Sequence, residues 1–492
     1  MKSLFCIAIS FGFLSVLFSG CDDALEVDIK SEIVAEGFPA SGEAAQALLV
    51  GAYQSLKDDI NTTEYSIDRS DAFDVGKIGT VTDSWAQNLN AGNGPGWLNY
   101  YSSLYNINLL ITRVDDLSFG SEAVKNQVKA EALFLRAFYY FYMTKIWGDV
   151  PLILEPIRSA DGEVVGRTPA AQVMAQVNAD VDAAISLFPT DGFGDKERAS
   201  KPAAYALKAD AKMWSGKVLN GGTADFDEAL SAIAMIESAG ASLVQDDFAS
   251  IFSADNKKNV EIIFALFNSR DEPDGHFARL STPRTDIDFS SKLSPRVPSS
   301  FEGGELGSRH NYAPSERIRG LFDNPDDIRR DVTFVPMLQA DGDDANTEPD
   351  TSSYSQNKFR GQVFDGIRQF VDDIIVYRWA DMLLLRAEAY AAKNDVAQAL
   401  AALNQVRNRA QIGDYAGPTD QASVNRAILD ERGRELFLEQ KRWWDLRRFH
   451  ADGTIDVYQF VPNLVGKNTP LYWPVSQNVI ALNDKIEQTS GY

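Results

Sequence analysis

Leu385-Arg386-Ala387-Glu388-Ala389 repeats a pattern seen twice earlier, at Val128-Lys129-Ala130-Glu131-Ala132 and Leu207-Lys208-Ala209-Asp210-Ala211. The last two copies are each followed by an Asp-x-x-x-Ala-Leu element, Asp225…Ala229-Leu230 and Asp395…Ala399-Leu400. Small alanines let a second helix approach closely, and an acid ahead of that helix favours its N-terminal dipole. Helix 395–410 would then lay Val396, Ala399, Leu400, Leu403 and Val406 along one stripe. Recurring pairs of this chemistry predict tetratricopeptide-like helix pairs, degenerate and widely separated in the chain. The fold class expected is mainly all-α, a right-handed superhelical scaffold carrying a loop-rich ligand-binding region.

Outward from these motifs, apolar residues at three- and four-residue spacing predict helices over 43–59, 97–117, 122–147, 170–188, 201–218 and 225–239. Turn signals such as Gly92-Asn93-Gly94-Pro95 and Gly148-Asp149-Val150-Pro151 separate them. Between about 241 and 372 the texture changes: prolines recur among Gly, Ser and Asp, yet many aromatics remain. That mixture fits an ordered loop-rich region rather than a disordered one, with Val260–Phe267 as a short strand. A long helix over 423–449 is expected from Leu429, Leu436 and Trp443 at heptad spacing, its Glu and Arg residues forming helix and helix-to-helix salt bridges. The organisation expected is a leader over 1–20, helical regions over 21–240 and 373–492, and the loop-rich region over 241–372.

Composition narrows the function. The chain has 492 residues, 45% hydrophobic, with 47 Lys+Arg against 70 Asp+Glu and a net charge of -23. Such a field repels phosphate backbones and argues against a nucleic-acid partner. Cys6 and Cys21 are the two cysteines, so no thiolate metal site or disulfide framework lies in the body. His276, His310 and His450 lack metal-ligand spacing, and Asp341-Gly342-Asp343-Asp344-Ala345-Asn346 lacks the Gly and Glu of an EF-hand, which leaves a solvated turn. No metal or cofactor is expected. No Gly-x-Ser-x-Gly elbow, P-loop or dinucleotide fingerprint occurs, and among 70 acids carboxylate pairs carry no information, so a hydrolase is disfavoured.

Lys2, the apolar run Leu4–Phe18 and Ser19-Gly20 before Cys21 resemble a bacterial lipobox, with Phe18 where Leu is usual. Cys21 is then the expected lipidation site, through which the protein would be held on the outer membrane at the cell surface. Removing one Lys and no acid takes the net charge from -23 to -24.

Several stretches in order resemble the SusD/RagB family of outer-membrane nutrient-binding lipoproteins. They are Glu431-Arg432-Gly433-Arg434-Glu435-Leu436 with Arg442-Trp443-Trp444-Asp445-Leu446, and Arg378-Trp379-Ala380-Asp381-Met382-Leu383-Leu384. Gly51-Ala52-Tyr53, Trp147-Gly148-Asp149-Val150-Pro151 and Trp473-Pro474-Val475-Ser476 also fit, although Trp473 stands where Ile is frequent and Thr489-Ser490 replace Asn-Pro. The resemblance implies a non-enzymatic surface protein that binds a glycan and delivers it to a SusC-like TonB-dependent transporter. A peptide-binding RagB-like importer component is the alternative.

A sugar ring needs a flat aromatic surface for its C–H face and Asp, Asn or Arg for its hydroxyls. Trp214, Trp379, Trp443 and Trp444 lie in strong helical patterns and read as core, and packing is also the reading of Trp97 and Trp147. Trp85 stands instead in the polar stretch Thr82-Asp83-Ser84-Trp85-Ala86-Gln87-Asn88, where the family often has a platform. It is the expected platform, with Asp83 and Asn88 as hydroxyl partners. Arg309, His310, Asn311 and Tyr312 form a second candidate group, and Tyr65 near Asp68 and Arg69 a third. The net acidity favours a neutral glycan such as a β-glucan.

Overall fold

The computed structural model describes residues 41–76, 80–156, 164–271, 276–282, 304–305, 310–338 and 351–492. Cys21, Arg309 and the acidic loop 341–346 lie outside them. Helices account for most of the described chain: α1 Gly42–Ile60, α2 Leu98–Arg113, α3 Glu122–Trp147, α4 Ala170–Leu187, α5 Lys201–Val218 and α6 Thr223–Ser238. Four more follow: α7 Trp379–Ala392, α8 Val396–Arg409, α9 Gln421–Glu435 and α10 Arg442–Ala451. The N-caps are those the sequence offers. Ser41, Ser121, Ser200, Asp395 and Asp420 each accept a backbone N–H of the first turn.

The repeated alanines are the contact surfaces. α3 packs on α4, α5 on α6 and α7 on α8. Ala130, Ala132, Ala209, Ala211, Ala387 and Ala389 are all fully buried in those contacts, as are Ala229 and Ala399 on the second helices. The acid inside each copy is buried too, and each is satisfied by a cation from elsewhere. Glu131 meets Arg198 at 2.9 Å, Asp210 meets Lys145 at 3.7 Å, and Glu388 meets Lys217 and Arg448 at 2.9 Å. One five-residue pattern therefore supplies both a close helix seam and a charge lock to a neighbouring element.

Short strands occur in the described parts of the middle region. β1 Phe73–Val75 pairs antiparallel with β3 Tyr312–Pro314, and β2 Ile262–Leu266 with a fully buried strand Ile374–Arg378 that leads directly into α7. The apolar run at 260–267 is thus a strand, as expected. The described residues from 41 onward belong to one compact unit. Among the described residues no helix is long and apolar enough to cross a membrane.

The expected single helix over 423–449 is two. α9 stops at Glu435 and α10 starts at Arg442, with Leu438 and Gln440 at φ 61° and 59° between them. Buried cations take the carbonyls that a continuous helix would have used. Lys358 donates to the carbonyls of Glu435 (2.8 Å) and Phe437 (3.0 Å), and Arg378 to that of Glu435 (2.7 Å).

Candidate functional site

α1 ends at Ile60 and the chain then makes one wide helical turn, Glu64–Asp68, in which the N–H of Asp68 reaches back to the carbonyl of Thr63 at 3.0 Å. Such turns re-aim side chains and recur at functional sites. This one directs Glu64 and Asp68 at the loop that carries Trp85. Thr82 Oγ1 donates to Asp68 Oδ2 (2.8 Å) and accepts the N–H of Trp85 (3.0 Å), while Ser84 Oγ donates to Glu64 Oε1 (3.3 Å). The loop rests on β1, where the indole Nε1 of Trp85 donates to the carbonyl of Phe73 at 2.9 Å. On the other side, Asn463 Nδ2 donates to the carbonyl of Trp85 (3.1 Å) and Thr469 Oγ1 to that of Gln87 (3.0 Å).

Arg69 is the pin beneath. It is fully buried between the rings of Trp443 and Trp473, each 4.7 Å from its guanidinium carbon. Its Nε donates to Gln87 Oε1 (2.9 Å), Gln87 Nε2 donates back to the Arg69 carbonyl (3.0 Å), and its terminal nitrogens reach the carbonyls of Pro470 (2.7 Å) and Leu471 (3.0 Å). Gln87 sits at φ 55°, and this reciprocal pair holds it there. Burial pulls Arg69 down to about 10, and burial raises Asp68 and Glu64 above the ordinary carboxylate range.

On this floor Trp85 is half-buried, with Asp83 and Asn88 exposed on the same loop. Asn93 donates to Asp83 Oδ2 (2.8 Å) and Lys467 to Asn88 Oδ1 (3.2 Å), which orders the two side chains at the rim. A cavity of about 420 Å³ adjoins the loop, lined in part by Phe73, Asp74, Glu316, Arg317 and Asn463. The loop offers a half-buried ring, an exposed carboxylate and an amide, and the cavity, joined to it through Phe73 and Asn463, adds carboxylates and a guanidinium, groups of the kind a polyhydroxylated ligand needs.

The other candidates are corrected. Tyr65 is core: it is 8% exposed and packs edge-on against Tyr142 and Trp473, with a tilted contact to Trp147. Tyr312 is 1% exposed, stacks on Phe73 at 4.9 Å and donates to Asp68 Oδ2 at 2.8 Å, so it supports the Trp85 loop from below and offers no platform. His310 is fully buried, its Nε2 2.9 Å from the carbonyl of Tyr354, and Asn311 is half-buried with its carbonyl accepting from Gly76. The polar texture around these residues hides partners more than 200 positions away. Sequence reasoning missed Asp74, Glu316, Arg317 and Asn463, which the β1–β3 pairing and the 463–469 segment bring together. No local pattern announces that pairing. Among the described residues no group of three or more His, Cys, Asp or Glu side chains is placed to hold a metal ion.

A tetratricopeptide-like scaffold thus carries a pinned loop that presents an aromatic ring and polar groups. Residues 333–492 match the SusD family, and residues 25–211 match a SusD-like family described as starch-binding and associating with the outer membrane. The SusD-like protein P25 of Formosa agariphila is 26% identical, over 89% of each chain. The structure of B. fragilis NanU superposes with a TM-score of 0.81 at 28% identity, covering 95% of this chain and 100% of that one. A laminarin-binding SusD-like protein shares the fold, with a TM-score of 0.74 at 21% identity over 92% of this chain and 99% of that one. Both ends of the chain thus match SusD-type families, and its fold is that of SusD superfamily structures.

Proposed function

We propose that this protein, lipidated at Cys21 and held on the cell surface, captures a neutral glycan at the Trp85 loop without cleaving it. It then delivers that glycan to a SusC-like TonB-dependent transporter. The observation that carries the reading is the half-buried indole of Trp85, locked by its own N–H to Phe73 while Asp83 and Asn88 stand beside it. Stacking one pyranose on an indole removes on the order of 40 Å² of apolar area, about 1 kcal/mol at about 25 cal/mol per Å². A few such contacts, less the ordering cost, give a dissociation constant of about micromolar to millimolar, which suits capture and release. The net charge of -23 disfavours sulfated and uronate-rich polymers, and a β-glucan is the preferred ligand class. The related fold that binds laminarin supports this choice.

Affinity electrophoresis and calorimetry on laminarin, starch and an acidic polysaccharide test the reading, with Trp85→Ala alongside. Retardation by a neutral glycan that Trp85→Ala weakens, without release of reducing sugar, is the expected result. Reducing-sugar release by the wild-type protein would overturn the non-enzymatic part. Co-purification with a large outer-membrane barrel tests delivery, and a mature chain without acyl groups on Cys21 would refute the tether.

A further inference from the structure

A second cavity, of about 1110 Å³, opens between residues 247–256 and 358–364 and shares no lining residue with the cavity beside Trp85. Its inner wall holds Phe252 and Asp372, 4% and 3% exposed. Asp372 Oδ2 accepts the N–H of Gly361 at 2.8 Å. Gly361 is at φ 60°, and a Cβ there would lie 2.2 Å from the carbonyl oxygen of Gln369, so only glycine fits the turn that aims this N–H.

Beside it, Arg360 is half-buried and spends its Nε on the carbonyl of Asn357 at 3.0 Å. Among the described residues its terminal nitrogens make no hydrogen bond or ion pair. Asp247 and Asp372 lie near it. Gln362 donates to Asp255 Oδ1 at 2.7 Å and closes the rim, where the half-buried ring of Phe364 carries the Arg270 guanidinium 4.8 Å from its centroid. Lys358 also reaches this wall, but its ammonium is committed to the carbonyls of Glu435 and Phe437 and to Glu439.

The contrast with the arginines of the core decides what the cavity is for. Arg329, Arg378 and Arg409 there are enclosed by carboxylates, whereas Arg360 keeps a donor fork in an open cavity with a buried Asp372 next to it. We propose that this cavity is a second saccharide-binding site, which takes a separate segment of a neutral glycan. Arg360 and Asp372 bind adjacent hydroxyls there, and the half-buried ring of Phe364 at the rim meets a C–H face. Neutral sugars are favoured because the acids Asp247 and Asp255 in the lining outnumber the one uncommitted cation, which disfavours uronates and sulfates. The proposal rests on the glycan-binding reading above. It adds that one chain holds its polymer at two places, which raises avidity through effective concentration.

Hydrogen exchange on the full mature chain tests it, with laminarin hexasaccharide and maltohexaose as probes. Slowed exchange is expected in 247–256 and 358–364 on saturation. It persists in Trp85→Ala, and affinity for this region falls about tenfold in Arg360→Ala, which loses a charge-assisted donor pair. Gln362→Ala, on the rim, serves as a second variant independent of the buried network and should weaken the same protection. Protection confined to the Trp85 loop would overturn the second site and leave the first standing. Protection nowhere, with no heat of binding for either probe, would sink both. Protection of 247–256 by penta-lysine but by neither sugar would replace the saccharide site with a cation-binding one.

Discussion

Around Glu435 every charge is enclosed and answered, whereas at the rim of the Trp85 loop the charged side chains stand at the surface. Arg329, Arg378, Arg409 and Lys358 meet Glu261, Glu431, Glu435 and Glu439, all 3% exposed or less. Arg378 alone reaches Glu261 and Glu435 at 2.6 Å and Glu439 at 2.7 Å. These cations hold Glu435 and Glu439 below the ordinary carboxylate range and Glu431 at about 2, against a burial penalty that acts the other way. At the loop face Asp74, Asp83, Asn88, Glu316 and Arg317 are exposed. The difference shows where recognition can reside: a buried charge must be matched within the fold, so only side chains outside that matching are free to meet a ligand.

The sharpest way to break the comparison is to unbalance the enclosed region. Glu435→Ala leaves Arg378, Arg409 and Arg329 short of a carboxylate, and a loss of about 3–5 kcal/mol is expected, read from the chemical denaturation midpoint. An unchanged midpoint would mean that the cluster is solvated and not a lock. Arg69→Met lies between the two regions, because it is buried like the cluster yet serves the loop. It strands the carbonyls of Pro470 and Leu471 and the side-chain oxygen of Gln87, for about 2–4 kcal/mol, and frees the Trp85 loop. Stability and glycan affinity should fall together, with faster proteolysis between 80 and 96. Trp85→Ala should separate the two readouts: affinity falls about fivefold to tenfold for about 1 kcal/mol of lost stacking, and the denaturation midpoint moves little. Asp83→Ala and Asn88→Ala should each cost less than Trp85→Ala in the same titration.

The scaffold was legible because helix packing leaves a periodic trace. The 3.6-residue spacing placed Glu122–Trp147 and Lys201–Val218 at their observed bounds, and the alanine signature marked their contact faces. The break between Glu435 and Arg442 left no such trace, because its cause is carbonyl demand from Lys358 and Arg378, cations 77 and 57 positions away from Glu435. At the site, Trp85, Asp83 and Asn88 were readable as an aromatic in a polar loop. Tyr65, His310 and Tyr312 sit in similarly polar local sequence, and their burial is decided by β1, the 351–356 strand and the Trp147–Trp473 core. Local composition reports what a segment is made of, and long-range pairing decides which side of it is covered.

pH should separate an enclosed, fully paired carboxylate from an enclosed carboxylate with few cationic partners. Glu431 is lowered to about 2, so its contribution is complete above its unfolded value near 4.5 and is lost as pH falls toward 2. Asp372 behaves in the opposite sense. Burial raises it to about 7, with Lys257 opposing and Asp373 reinforcing the shift, and Arg360 also lies nearby. A carboxyl raised in the folded state binds a proton more tightly there than when unfolded, so it destabilises as pH climbs from about 4 to about 7. Asp373, raised to about 6 by burial in spite of its 2.7 Å contact with Lys257, adds to the same slope. These two carboxyls should therefore contribute a decline in stability between pH 5 and pH 8. Asp372→Asn should flatten that decline, and Glu431→Gln should leave it in place while lowering stability at every pH above 4.5. Denaturation midpoints measured from pH 4 to pH 8 on the three proteins decide the matter; a decline that survives Asp372→Asn unchanged would assign the slope to another group.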